Sequence, residues 1–173
     1  MDSTRGDLLR MVLETHRNEY TELSETWRTL DTKAQGLGAL AGIFLAAAFA
    51  WARDLPKVAS LLDRSVVIGT IVLLMLAVVG AVRALQVRAV APSPFGSETE
   101  DMLRDILAKS KESELPERVL AFNNDQITLW KDTNKEVRRF NDDKADWISF
   151  GQYMLLSAAA LVALFSSLTV AFK

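Results

Sequence analysis

Hydrophobic positions along this chain follow two different patterns. Three stretches, 34–52, 66–82 and 148–172, are almost wholly apolar and contain no Asp, Glu, Lys or Arg. Each approaches or exceeds the roughly 20 residues that a helix needs to cross a hydrocarbon core about 30 Å thick. The pattern predicts three membrane spans. Elsewhere the apolar positions recur with a helical period. Leu9, Leu13, His16, Tyr20, Leu23, Trp27, Leu30 and Ala34 are separated by alternating steps of four and three, and the stripe continues through Leu37, Ala41, Phe44, Ala48 and Trp51. That spacing is the seam of a helix lying lengthwise on another. With no Pro or Gly between Leu8 and Lys33, it predicts one long helix over 5–52.

The same alternation returns at Leu120, Asn123, Ile127, Trp130, Asn134, Val137, Asn141, Lys144 and Ile148. It predicts a last helix over 116–172, with Pro116 in the first turn, where its missing N–H matters least. Asp54 and Pro56 should end span one, and span two should start after Arg64. Ala91-Pro92-Ser93-Pro94-Phe95-Gly96 marks a turn. Ser97-Glu98-Thr99-Glu100 then has the spacing of a capping box and predicts a short helix over 98–110. The expected fold is all-α. It is a three-span transmembrane helical bundle with long helices extending into a cytoplasmic coiled-coil-like stalk. The expected division is a cytoplasmic helix 1–33 continuous with span one, a transmembrane hairpin 34–85, a cytoplasmic stalk 86–147 and a third span 148–173.

Charge adds a topology. Sixteen of the 20 Lys and Arg residues lie before span one or between spans two and three; Arg53, Lys57, Arg64 and Lys173 are the other four. This asymmetry predicts a cytoplasmic N-terminus and stalk, with the C-terminus outside. The charge-rich N-terminus lacks the short apolar core of a signal peptide, so no cleavage is expected. A net charge of −2 gives no reason to expect a nucleic-acid polymer as partner. The chain has no Cys and one His, His16, which removes thiolate chemistry and any multi-histidine metal site. No nucleophile–base pair, metal cluster or nucleotide-hydrolysis motif is present. The expectation is a non-enzyme with no cofactor and no metal.

Several features could carry function. Gly38, Gly42, Ala46 and Ala50 form a small-residue face at four-residue intervals, which lets helix backbones approach closely in lipid. It is either a homo-oligomer interface or a packing face within one chain. Asn123, Asn124, Trp130, Asn134, Arg138 and Arg139 are candidates for a polar ligand pocket. There amides can match a base edge, an indole can stack and a guanidinium can hold a phosphate. The alternative is that the seam asparagines set register or oligomer state. Asp31, Lys33, Arg83 and Lys144 should gather at the cytoplasmic membrane surface, as anchors or as a ring coupling stalk to spans. His16 is a packed or pocket-edge seam residue. The uncharged spans argue against an ion-coupled transporter. A conduction path would have only weakly polar groups such as Thr70, Gln152, Ser157, Ser166, Ser167 and Thr169.

The stretch Trp27-Arg28-Thr29-Leu30-Asp31-Thr32-Lys33-Ala34-Gln35-Gly36 leads into span one and resembles the Asp-Thr-Lys-Ala entry of the Pycsar-type transmembrane effectors of bacterial anti-phage defence. The layout also resembles the related SLATT-type proteins. The resemblance implies an inner-membrane effector that senses a cyclic nucleotide and damages the membrane; taken with the Gly38/Gly42/Ala46 face, the leading expectation is an effector that oligomerises and impairs the lipid bilayer. Of its motif positions only Asp31 and Lys33 carry over, with no role attached, and no ligand motif transfers. The rival expectation is a non-catalytic adaptor whose stalk docks a protein partner; a third is a constitutive small-ion channel.

Overall fold

The computed structural model describes residues 2–55, 60–87, 97–109 and 114–171. They form four helices: α1 (Asp2–Asp54), α2 (Leu61–Gln86), α3 (Ser97–Lys109) and α4 (Leu115–Ala171). No strand occurs among the described residues, so the fold is all-α. Helices α1, α2 and α4 are each long and apolar enough to cross a membrane. The turn expected at 91–96, Pro56, and the side chains of Ser97, Glu98 and Glu100 lie outside the described residues.

Helix α2 starts earlier than its uncharged stretch suggests. Ser60 Oγ accepts from the Asp63 N–H at 3.1 Å, and Asp63 Oδ2 accepts from the Ser60 N–H at 2.9 Å. This reciprocal capping box satisfies two N–H groups that otherwise lack helical partners. Absence of charge measures compatibility with lipid, not helix formation, so the helix takes in Asp63 and Arg64 before the apolar run begins. At the other end it extends to Gln86, where the Val87 N–H closes on the Arg83 carbonyl at 3.2 Å.

The chain divides into two compact units. The first comprises Met1–Trp27 and Ala89–Asn141, the second Arg28–Arg88 and Asp142–Lys173. Within the first, α1 and α4 run parallel. Asn134 reaches the His16 carbonyl and Asn141 the Leu23 carbonyl, each across 118 residues of sequence. An equal separation at two points seven residues apart requires parallel helices in fixed register. Trp130, Asn134, Val137 and Asn141 are all buried, as the three–four alternation requires.

Within the second unit, α1 and α4 are again parallel: Leu37 touches Gly151, and the Trp51 and Phe165 rings lie 6.1 Å apart. Helix α2 runs antiparallel to α1, meeting Gly38 through Ala81 and packing Leu74 against Ala48 and Ala158. The core is built largely from small residues, with Ala34, Ala81 and Ala84 around Leu37 and Ile148. Small side chains bring the backbones close and make contact by dispersion, the packing that helices use in lipid. Meanwhile Ile43, Ile68, Tyr153, Leu156 and Leu164 are each more than 60 % exposed. A soluble monomer rarely leaves so many large apolar side chains open to water.

The closest approach is at glycines outside the Gly38/Gly42 face. A Cβ on Gly80 would lie 2.9 Å from the Gly151 Cα and 3.0 Å from the Trp147 carbonyl oxygen. A Cβ on Gly151 would lie 2.6 Å from Leu37 Cδ2. Gly80 and Gly151 are thus the crossing point of α2 and α4, with α1 seated on the same spot.

Candidate functional site: a polar seam in the first unit

The seam between α1 and α4 in the first unit is interrupted by polar side chains. Asn134 Nδ2 donates to the His16 carbonyl at 2.9 Å and to Glu19 Oε2 at 3.0 Å. Arg138 Nη2 donates to Glu19 Oε1 at 2.6 Å, and His16 Nδ1 lies 3.4 Å from Glu19 Oε2. Asn141 Nδ2 donates to the Leu23 carbonyl at 3.0 Å. The carbonyls used belong to a continuous helix, so each asparagine adds a second bond to an oxygen already serving the helical ladder. Next to this cluster Tyr20 meets Trp130 edge to face, with ring centroids 5.4 Å apart.

Glu19 is the hub. Burial alone would raise its carboxyl pKa, but hydrogen bonds from Asn134, His16 and Arg138, with the Arg138 charge, outweigh that and hold it below the ordinary value. The stability that Glu19 contributes is therefore present above the unfolded-state pKa, about 4.3. It is lost as pH falls through the lower folded-state value. Unfolding curves between neutral and strongly acid pH should show this slope in the wild type and lack it in Glu19→Gln. Equal slopes would remove Glu19 from the account.

The acceptor side of the seam is less complete. Asn134 Oδ1, Asn141 Oδ1 and Gln126 Oε1 are buried and have no hydrogen-bond partner among the described residues. An unmet buried acceptor costs about 1–3 kcal/mol. In contrast, the Arg138 side chain is 62 % exposed, so its bond to Glu19 is screened by solvent and contributes about 1 kcal/mol at most. The seam thus combines a weakly held charge pair with an amide whose oxygen is free to accept.

Of the residues singled out from sequence, Trp130, Asn134 and Arg138 converge here; Trp130 is buried and edge-packed, without an open face for stacking. Asn123 is half-buried, Asn124 and Arg139 are exposed, and none of the three joins the network. Glu19 was not anticipated. Its position, midway between seam residues His16 and Leu23, was the available signal.

In the second unit, Lys144 Nζ bonds Asp31 Oδ1 at 2.5 Å; the lysine side chain is fully buried and the aspartate side chain 34 % exposed. Lys33 and Arg83 are exposed and do not join this pair. On the small-residue face, a Cβ on Gly38 would lie 3.5 Å from Ala81, an ordinary contact within the chain. Gly42 has nothing within 4 Å of its would-be Cβ, and Ala46 and Ala50 are exposed. The Thr70, Ser166, Ser167 and Thr169 hydroxyls all donate to carbonyls of their own helices. Among the described residues, no group of three His, Asp or Glu is placed to hold a metal.

Comparison with known proteins finds no counterpart: no family model matches this chain, nor does any curated protein or solved structure.

Proposed function

We propose that this chain is a ligand-gated effector of the bacterial inner membrane, in which a small anionic ligand of cyclic-nucleotide type acts on the polar seam and the spans then compromise the bilayer. The reading takes the N-terminus and the first unit as cytoplasmic, following the distribution of basic residues, and the protein as a homo-oligomer. The observation that carries it is the Glu19 network. An internal carboxylate occupies the donors that a phosphate would use, through a bond to Arg138 that is cheap to exchange. A ligand phosphate replaces Glu19 on Arg138, and the Asn134 amide, with a donor and a free acceptor, pairs with a base edge. The ligand shifts the assembly only by its different affinity for the two states. Uncharged spans and the exposed Gly42, Ala46 and Ala50 face support close association between copies in lipid. The Asp-Thr-Lys-Ala resemblance points the same way.

Thermal unfolding of the detergent-purified protein against cyclic mononucleotides and dinucleotides tests this. A ligand at 100 times its dissociation constant stabilises the folded state by about 2.7 kcal/mol. One nucleotide should raise the unfolding temperature, and Arg138→Ala should abolish the rise. No shift with any of them, in a protein that unfolds cooperatively, refutes the sensor.

The adaptor reading is favoured by a separate observation. Leu8, Met11 and Val12 of α1 are 40–64 % exposed in the first unit, a small apolar face that a protein partner could cover.

A further inference from the structure

We propose that the second unit holds a binding site for one hydrocarbon chain, the acyl tail of a bilayer phospholipid, in a cavity of about 550 Å³ between α1, α2 and α4. The proposal rests on insertion of the three apolar helices in a bilayer and is independent of ligand gating.

The cavity follows from where the helices are pinned. At Gly80 and Gly151 the α2 and α4 backbones are in contact, and Leu37 of α1 is seated against Gly151. Toward the other end of α1, Trp51 and Phe165 meet. Between these contacts the wall is lined by five alanines, Ala47 and Ala48 on α1 with Ala158, Ala159 and Ala163 on α4. Larger side chains there would fill the space; alanine leaves it open. Phe44 illustrates the consequence: it occupies a seam position, lines the cavity, and is 52 % exposed instead of packed.

The lining defines the ligand class. The Thr70 hydroxyl donates to the Val66 carbonyl of its own helix at 2.9 Å. Among the described residues no charged side chain lines the wall, so an ionic or strongly hydrogen-bonding ligand would lose its hydration without compensation. Of the lining residues, Phe44 and Leu156 are 52 % and 65 % exposed, so the cavity is open on their side. It therefore opens onto the apolar surface that an inserted bundle turns toward lipid, where hydrocarbon is the available solvent. Along α4 the lining runs from Leu155 to Ala163, about 12 Å at 1.5 Å per residue, an elongated shape suited to a chain segment. Trp51, near the end of α1, adds an indole N–H, a donor that suits the ester region of a lipid.

The test uses the full chain in vesicles of phosphatidylethanolamine and phosphatidylglycerol, with a trace of phosphatidylethanolamine carrying a diazirine near the end of one acyl chain. After photolysis and peptide mapping, label at the lining residues Phe44, Ala159 and Ala163 should exceed that at Ile43 and Leu164, which lie outside the lining, several-fold. Ala159→Phe, which fills the cavity, should remove the excess, whereas Ala160→Phe, outside the lining, should keep it. Even labelling of positions inside and outside the lining in the wild type overturns the proposal, whichever variants fold.

Discussion

Replacing Gly80 by alanine is expected to destabilise the protein by about 2 kcal/mol, although the same change in an open helix stabilises by about 0.5–1 kcal/mol. The sign reverses because the new methyl group would meet the Gly151 backbone and the Trp147 carbonyl at 2.9–3.0 Å. Backbone atoms cannot rotate aside as a flexible side chain can, so α2 and α4 must separate, and Leu37 loses its seat with them. Gly36→Ala, off the face proposed for association between copies, is the matched control. Nothing lies within 4 Å of its would-be Cβ, so the ordinary gain in helix propensity should appear. At roughly 2–4 °C per kcal/mol for a chain of this size, the variants should fall on opposite sides of the wild type in thermal unfolding. Equal shifts would mean that the glycine crossing is not the tight point.

The second large effect is expected at the Asp31–Lys144 pair. Removing one partner of a buried ion pair costs about 3–5 kcal/mol when a charge is left in the interior. The two ends of this pair are unequal. Lys144 is fully buried, whereas the Asp31 side chain is 34 % exposed. Asp31→Ala removes the carboxylate that faces the buried ammonium and should cost about 3 kcal/mol. Lys144→Met leaves a carboxylate that water can reach, and should cost clearly less. The double variant Asp31→Ala/Lys144→Met should recover most of the loss. A double-mutant cycle on denaturant unfolding measures the asymmetry directly. Equal single-variant losses that add in the double variant would show that the two side chains are not coupled.

The long helices were legible because two signals coincided. In α1 and α4 the three–four alternation runs without interruption from charged sequence into uncharged sequence, and both helices extend over nearly the expected range, Asp2–Asp54 and Leu115–Ala171. Helix α2 begins before the uncharged stretch 66–82 because Ser60 and Asp63 cap it, whereas lack of charge marks only the part compatible with lipid. The glycine contact was hidden for a different reason. Gly38 and Gly42 form a local motif, but Gly80 and Gly151 lie on different helices, and only the crossing geometry of α2 and α4 brings them together. In the seam, Asn134 and Asn141 occupy the positions that the spacing gave them. Their partners are backbone carbonyls, which no side-chain pattern reveals, and Glu19 becomes a hub only when two helices far apart in sequence take up one register.

The gating account is tested most directly by dye release from liposomes containing the purified full chain, with cyclic nucleotides added outside to inward- and outward-facing preparations. The account predicts release with one cyclic nucleotide and little without it. It also predicts that Glu19→Ala, which frees Arg138 and Asn134 from their internal carboxylate, shifts the concentration of nucleotide needed to lower values. Intact liposomes with every nucleotide, for wild type and Glu19→Ala alike, would contradict it and leave the first unit as a docking surface for protein.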